Sequence, residues 1–154
     1  SAGNNGDVFV YFTDYHYSKS DYVFYFGWKH NVPAYFWENL SPDTEIWGIG
    51  TKNYGKNNGF LYKNRNHPDY YSQKIKIDSQ YFEWNDQLKS EWGDNYIDFI
   101  KMSLDGDGAI VVFTDDNHFI SPDCRHLSKS GAEYYARMID WDFVFKKITN
   151  PIEM

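Results

Sequence analysis

The order of elements in residues 109–147 constrains this chain most. Ala109-Ile110-Val111-Val112-Phe113 is a dense apolar, β-branched run of strand length, suited to a strand covered on both faces. A loop broken by Pro122 follows, and then a helical pattern expected over 128–147. Ala132, Tyr135, Ala136, Ile139 and Phe143 share one face of that helix. Ser128 or Ser130 can cap it, and Ser130 with Glu133 fits a capping box. A buried strand followed by a covering helix is the unit of a layered α/β fold.

The chain upstream repeats that alternation. Residues 8–13 and 44–50 read as buried strands, 96–100 as a third, and 71–77 as a shorter extended piece. A helix is expected over 79–92, opened by Asp78 or Ser79 and stopped by Gly93. Tyr81, Phe82, Asn85, Leu88 and Trp92 lie near one of its faces. Residues 20–40 read as two short helices broken near Asn31-Val32-Pro33, and 51–69 as a long loop rich in Gly, Asn and Lys. Asp105-Gly106-Asp107-Gly108 reads as a tight turn; it resembles the opening of a calcium loop but lacks the remaining ligands. The expectation is one α/β domain over 7–148 with a mostly parallel sheet. Residues 1–6 would be a flexible lead and 149–154 a tail.

Charge and composition exclude several functions. A net charge of −7 over 154 residues argues against nucleic acid or an acidic membrane surface as partner. The lone cysteine, Cys124, excludes an internal disulfide and a cysteine-based zinc site. Asp116, His118 and His126 have no helical His-x-x-x-His pairing behind them, so no metal and no cofactor are expected. No run of 18 apolar residues is present, and the start carries no targeting signal. Both the cell envelope and the cytoplasm stay open. The 14 Tyr, 12 Phe and 6 Trp suit a large core, and Tyr and Trp also suit sugar sites, where a ring face meets C–H groups.

The candidate chemistry sits between the last strand and the closing helix, where Asp123 and His126 are three residues apart. A carboxylate that close can hold an imidazole Nδ1–H and leave Nε2 to take a proton from a hydroxyl. Arg125 lies between them, suited equally to an anionic sugar and to solvent.

At these residues the chain resembles a known family. Asp123-x-x-His126-Leu127-Ser128-x-x-Gly131-Ala132, followed by Tyr134-Tyr135-Ala136, is similar to the last conserved block of SGNH (GDSL-type) hydrolases. The form found in bacterial polysaccharide O-acetyltransferases and acetylesterases is the nearest to it. The likeness is specific over residues 96–139 and loose upstream. It implies a three-layer, flavodoxin-like α/β domain in which Asp123 and His126 are two members of a catalytic triad. The implied partners are a polysaccharide and an acyl donor.

The family's serine, in a Gly-Asp-Ser block on the first strand, has no counterpart here. Gly6-Asp7-Val8 is the nearest triplet, and valine is no nucleophile. No Gly-x-Ser-x-Gly elbow occurs either. Thr13-Asp14-Tyr15 departs from the family's oxyanion block, and Asn53 is the candidate donor in its place. Either the first strand and helix of such a domain lie outside this chain, or the chain never carried the serine. The first account makes the chain the acid–base part of a serine-type O-acyltransferase or esterase, inactive by itself. The second makes it a non-catalytic, glycan-binding relative.

Overall fold

A computed structural model describes residues 19–51 and 53–145. The strand expected at 8–13 and both chain ends lie outside them. Strands β1 (Tyr22–Phe26), β2 (Glu45–Ile49) and β4 (Tyr96–Ile97) form a parallel sheet in the order β1-β2-β4. Tyr22 pairs with Glu45, Phe26 with Ile49, and Ile49 with Ile97. A second, antiparallel sheet joins β3 (Lys74–Lys76) to β5 (Ala109–Val111). The chain is therefore a mixed α/β protein with a parallel main sheet, but the strand at 109–111 stands outside that sheet.

Helices cover both faces of the parallel sheet. On one face, Val23, Tyr25 and Ile46 meet Phe36 of α1 (Ala34–Asn39) and Leu88 and Trp92 of α3 (Ser79–Trp92). On the other, Trp47, Ile49 and Ile97 pack with Phe99 of α4 (Phe99–Ser103), Tyr135 of α5 (Lys129–Ala136) and Val144 of α6 (Trp141–Phe145). Each fully buried side chain of this size contributes roughly 1.5–3 kcal/mol through burial. The Trp92 face tolerates no side chain at Gly48, where a Cβ would meet the indole. That indole N–H donates to the Gly27 carbonyl at 2.9 Å and so anchors α3 to the end of β1.

Four expectations are corrected. The first half of 20–40 is strand β1, because Tyr22-Val23-Phe24-Tyr25-Phe26 suits a pleated surface, and its neighbour β2 supplies the ladder. Gly27, at φ 132°, ends it. The loop at 51–69 contains α2 (Asn58–Tyr62), whose first turn is capped by the Asn57 side chain. The strand at 96–100 stops after Ile97, because Asp98 accepts the Lys101 N–H and starts α4.

The closing helix is two helices. Ser128, not Ser130, caps α5 by accepting the Gly131 N–H at 3.0 Å. Asp140 restarts the chain as α6 by accepting the Phe143 N–H at 2.9 Å. Phe143, placed by periodicity on the buried face, is therefore exposed.

Candidate functional site

The loop after β5 is built to be held still. Ile120 is fully buried; its N–H donates to Val112, and its carbonyl accepts from Ser128. The Ser128 hydroxyl also donates to the Phe119 carbonyl, so one serine caps α5 and ties it to the loop. Gly131 completes the seat: a Cβ there would run into the Ile120 carbonyl. From the other side, the Tyr54 N–H donates to the Cys124 carbonyl at 3.0 Å and the Asn58 N–H to the Pro122 carbonyl at 3.2 Å. Cys124 itself is left-handed, φ 68°, a conformation that L side chains adopt at a cost.

Within this frame Asp123 and His126 meet as the spacing predicts. Asp123 Oδ2 lies 2.6 Å from His126 Nδ1. Asp123 Oδ1 accepts the backbone N–H groups of Arg125 and His126, both at 2.9 Å. The imidazole contact and then these two amides hold the Asp123 carboxyl at about 2, below its ordinary range. An ionised carboxylate only accepts, so Nδ1 carries the hydrogen and Nε2 is the basic nitrogen. Among the described residues Nε2 has no hydrogen-bond partner.

His126 and Arg125 line an open cleft of about 620 Å³. Its floor is the carboxyl ends of two parallel strands: Phe26, Gly27 and Trp28 after β1, and Gly50 and Thr51 after β2. Tyr81, Trp84 and Leu88 of α3 form the facing wall. This is the edge where ligands bind in open α/β sheets. The floor is braced from behind: Tyr96 donates to Asn85 Oδ1 at 2.7 Å, and Asn85 Nδ2 donates to Asp98 at 3.0 Å. The Thr51 backbone hydrogen-bonds the Tyr96 hydroxyl, whose ionisation burial opposes. A Cβ at Gly50 would strike that hydroxyl, so only glycine passes there.

No serine lines the cleft among the described residues, and no hydroxyl bonds to the His126 ring. The Thr51 hydroxyl is buried away from the open space and has no hydrogen-bond partner among the described residues. Asn53 spends its Oδ1 on the Gly55 N–H at 3.0 Å and does not line the cleft. Asp116 pairs with His118, not with His126, and no three His, Cys, Asp or Glu side chains among the described residues are placed to hold a metal. Asp105 is a turn residue: it accepts from Asp107 and Ala109 and pairs with Lys74 at 2.6 Å.

The aromatic wall was not singled out from sequence. Its signal was Trp84, off the buried Asn85, Leu88 and Trp92 stripe of α3 yet large and apolar. No protein-family model matches the chain, and no curated protein or solved structure does either. Among the described residues, no helix is long and apolar enough to cross a membrane.

Proposed function

We propose that this chain supplies the acid–base pair of a serine-type carbohydrate O-acyl (acetyl) transferase or esterase, in a flavodoxin-like domain of the SGNH kind. The observation that carries the reading is His126. Its Nδ1 is held by Asp123, its Nε2 is unengaged by described residues, and it stands in an aromatic cleft at the ends of parallel strands. A serine hydroxyl attacking an acyl carbonyl would pass its proton to His126 Nε2, and the imidazolium would return it to the departing oxygen. Water or a sugar hydroxyl then takes the acyl group from the serine, with His126 again as base. Asp123 stabilises the imidazolium and fixes the tautomer.

The serine must come from outside the described residues. Among the described residues the strand paired with β1 is β2. A further parallel strand on its other edge would end beside Gly27 at the cleft, which is where a nucleophile is needed. The test is acetyl-ester hydrolysis by the chain alone and by a chain extended at its N-terminus with a serine-bearing strand and helix. The expected result is activity only in the extended form, abolished by His126→Ala. An extended, folded protein without activity would sink the triad assignment. The second reading, a glycan-binding protein without turnover, is favoured by the lack of a serine among the described residues that line the cleft.

A further inference from the structure

We infer that the cleft takes an anionic sugar unit, with Arg125 holding its carboxylate or phosphate and the Trp84 wall stacking its ring. The inference rests on the carbohydrate reading above and adds the class of sugar. Arg125 is set by the same carboxylate as the histidine: its N–H donates to Asp123 Oδ1 at 2.9 Å, so its backbone cannot drift relative to His126. Its side chain lines the cleft and is exposed, with no carboxylate partner among the described residues.

Charge makes this notable. The chain carries 22 acidic against 15 basic side chains, yet among the described residues no aspartate or glutamate lines the cleft. Among the described residues that line it, Arg125 is the one fixed charge. In a molecule of net charge −7, the described lining of this recess offers an anion one fixed cation and no carboxylate. A guanidinium offers a planar fork that matches carboxylate and phosphate oxygens two at a time.

The wall supplies the other half. Trp84 keeps 38% of its surface exposed, and its ring is braced edge-on by Tyr81 at 5.1 Å between centroids. A large indole held open on a cleft wall offers a sugar its flat face, a contact indifferent to the sugar's charge. Trp28 closes the opposite end, after β1. Arg125 thus supplies selectivity and Trp84 general affinity.

The experiment is calorimetric titration of the whole chain with three probes: a tetrasaccharide containing glucuronic acid, a neutral chitotetraose, and mannose 6-phosphate. The uronate tetrasaccharide is expected to bind on the order of tenfold tighter than the neutral one, the worth of one charged hydrogen-bonded contact. Added salt should shrink that margin. Arg125→Gln should erase the margin and Arg125→Lys should keep part of it, with thermal unfolding unchanged in both. Trp84→Ala should weaken acidic and neutral sugars by a similar factor. Mannose 6-phosphate competing with the uronate identifies phosphate as an alternative oxyanion; failure to compete restricts the site to carboxylates.

Equal affinities for the acidic and neutral tetrasaccharides, or a margin that survives Arg125→Gln, would overturn the inference and leave the carbohydrate reading standing. Binding of neither would overturn both. An Arg125-dependent preference in a protein whose serine-extended form shows no acyl turnover would keep this inference and discard the catalytic reading.

Discussion

Two loops of this protein each hold a histidine closely against an aspartate, and of these two histidines His126 alone lines the cleft at the ends of the parallel strands. His118 Nδ1 lies 2.9 Å from Asp116 and His126 Nδ1 lies 2.6 Å from Asp123, and both imidazoles are more than half exposed. His30 with Glu91 at 2.8 Å and His67 with Asp69 at 3.7 Å make two more. An acid–histidine contact is therefore common here and defines nothing by itself. The difference lies around the pair. Asp116 takes the Thr114 hydroxyl, and its loop is a self-contained turn in which the Thr114 hydroxyl also accepts the His118 N–H at 3.1 Å. Asp123 takes two backbone amides, and its loop is clamped from outside by Tyr54, Asn58 and the close approach at Gly131.

The two loops also differ in strain. Each contains one left-handed residue, Asn117 at φ 64° and Cys124 at φ 68°. Asparagine tolerates that conformation well; cysteine does not. Strain survives where the surroundings over-determine the backbone, and here the Tyr54 N–H bonds the Cys124 carbonyl itself. The 116–118 loop follows its local turn chemistry, whereas the 123–126 loop is imposed by tertiary contacts.

The sharpest way to break this contrast is catalytic. In the serine-extended protein, His126→Ala should lower acetyl-ester hydrolysis by about a thousandfold or more, while His118→Ala leaves it unchanged. Comparable losses from both variants would mean the clefted pair is not special. Next, Asp123→Asn should cost about a hundredfold or more in the same assay, because the amide can present the wrong hydrogen-bonding face to Nδ1. Asp116→Asn should cost nothing measurable.

The acid limb of stability tests the contacts of Asp123 directly. The Asp123 carboxyl is held at about 2 in the folded protein, against about 3.9 in an unfolded chain. Its folded value is the lower, so its stabilisation is complete above about pH 4 and is lost as the pH falls through about 2. Asp105, also held at about 2 chiefly by Lys74, contributes in the same window. Asp123→Asn should therefore flatten, without abolishing, the loss of circular-dichroism signal over that range. An unaltered acid limb would contradict the geometry.

Substitutions in the frame have smaller effects. Gly131→Ala should destabilise by about 1–3 kcal/mol in urea unfolding, as overpacking does. Gly106→Ala, where a Cβ meets nothing, should stay within about 0.5 kcal/mol. Cys124→Val should cost about 1–2 kcal/mol, since a β-branched residue suits a left-handed position worse still. Asn117→Gly should be close to neutral.

Helix α3 was legible because every local signal agreed: a polar start at Asp78-Ser79, an apolar stripe at Asn85, Leu88 and Trp92, and Gly93 at φ 61° to end it. Strand β2 was legible from its unbroken apolar run. β1 was not, because the sheet is covered on both faces, so Tyr22 to Phe26 shows no alternation, and its aromatics fit helix and strand alike. The break before α6 turned on a single cap, Asp140, in a segment whose periodicity ran on past it.

By itself, the sequence determined what is local. It specified the Asp123–His126 contact, because three residues of a loop span that distance, and the cap at Ser128, because that side chain reaches its own next turn. Only the tertiary structure decided which acid–histidine pair meets the cleft at the ends of the parallel strands. That cleft is assembled from β1, β2, α3 and the 123–126 loop, and its members are separated by up to a hundred residues. They converge because both faces of one parallel sheet must be buried, and that requirement belongs to the packed sheet, not to any one segment of the chain.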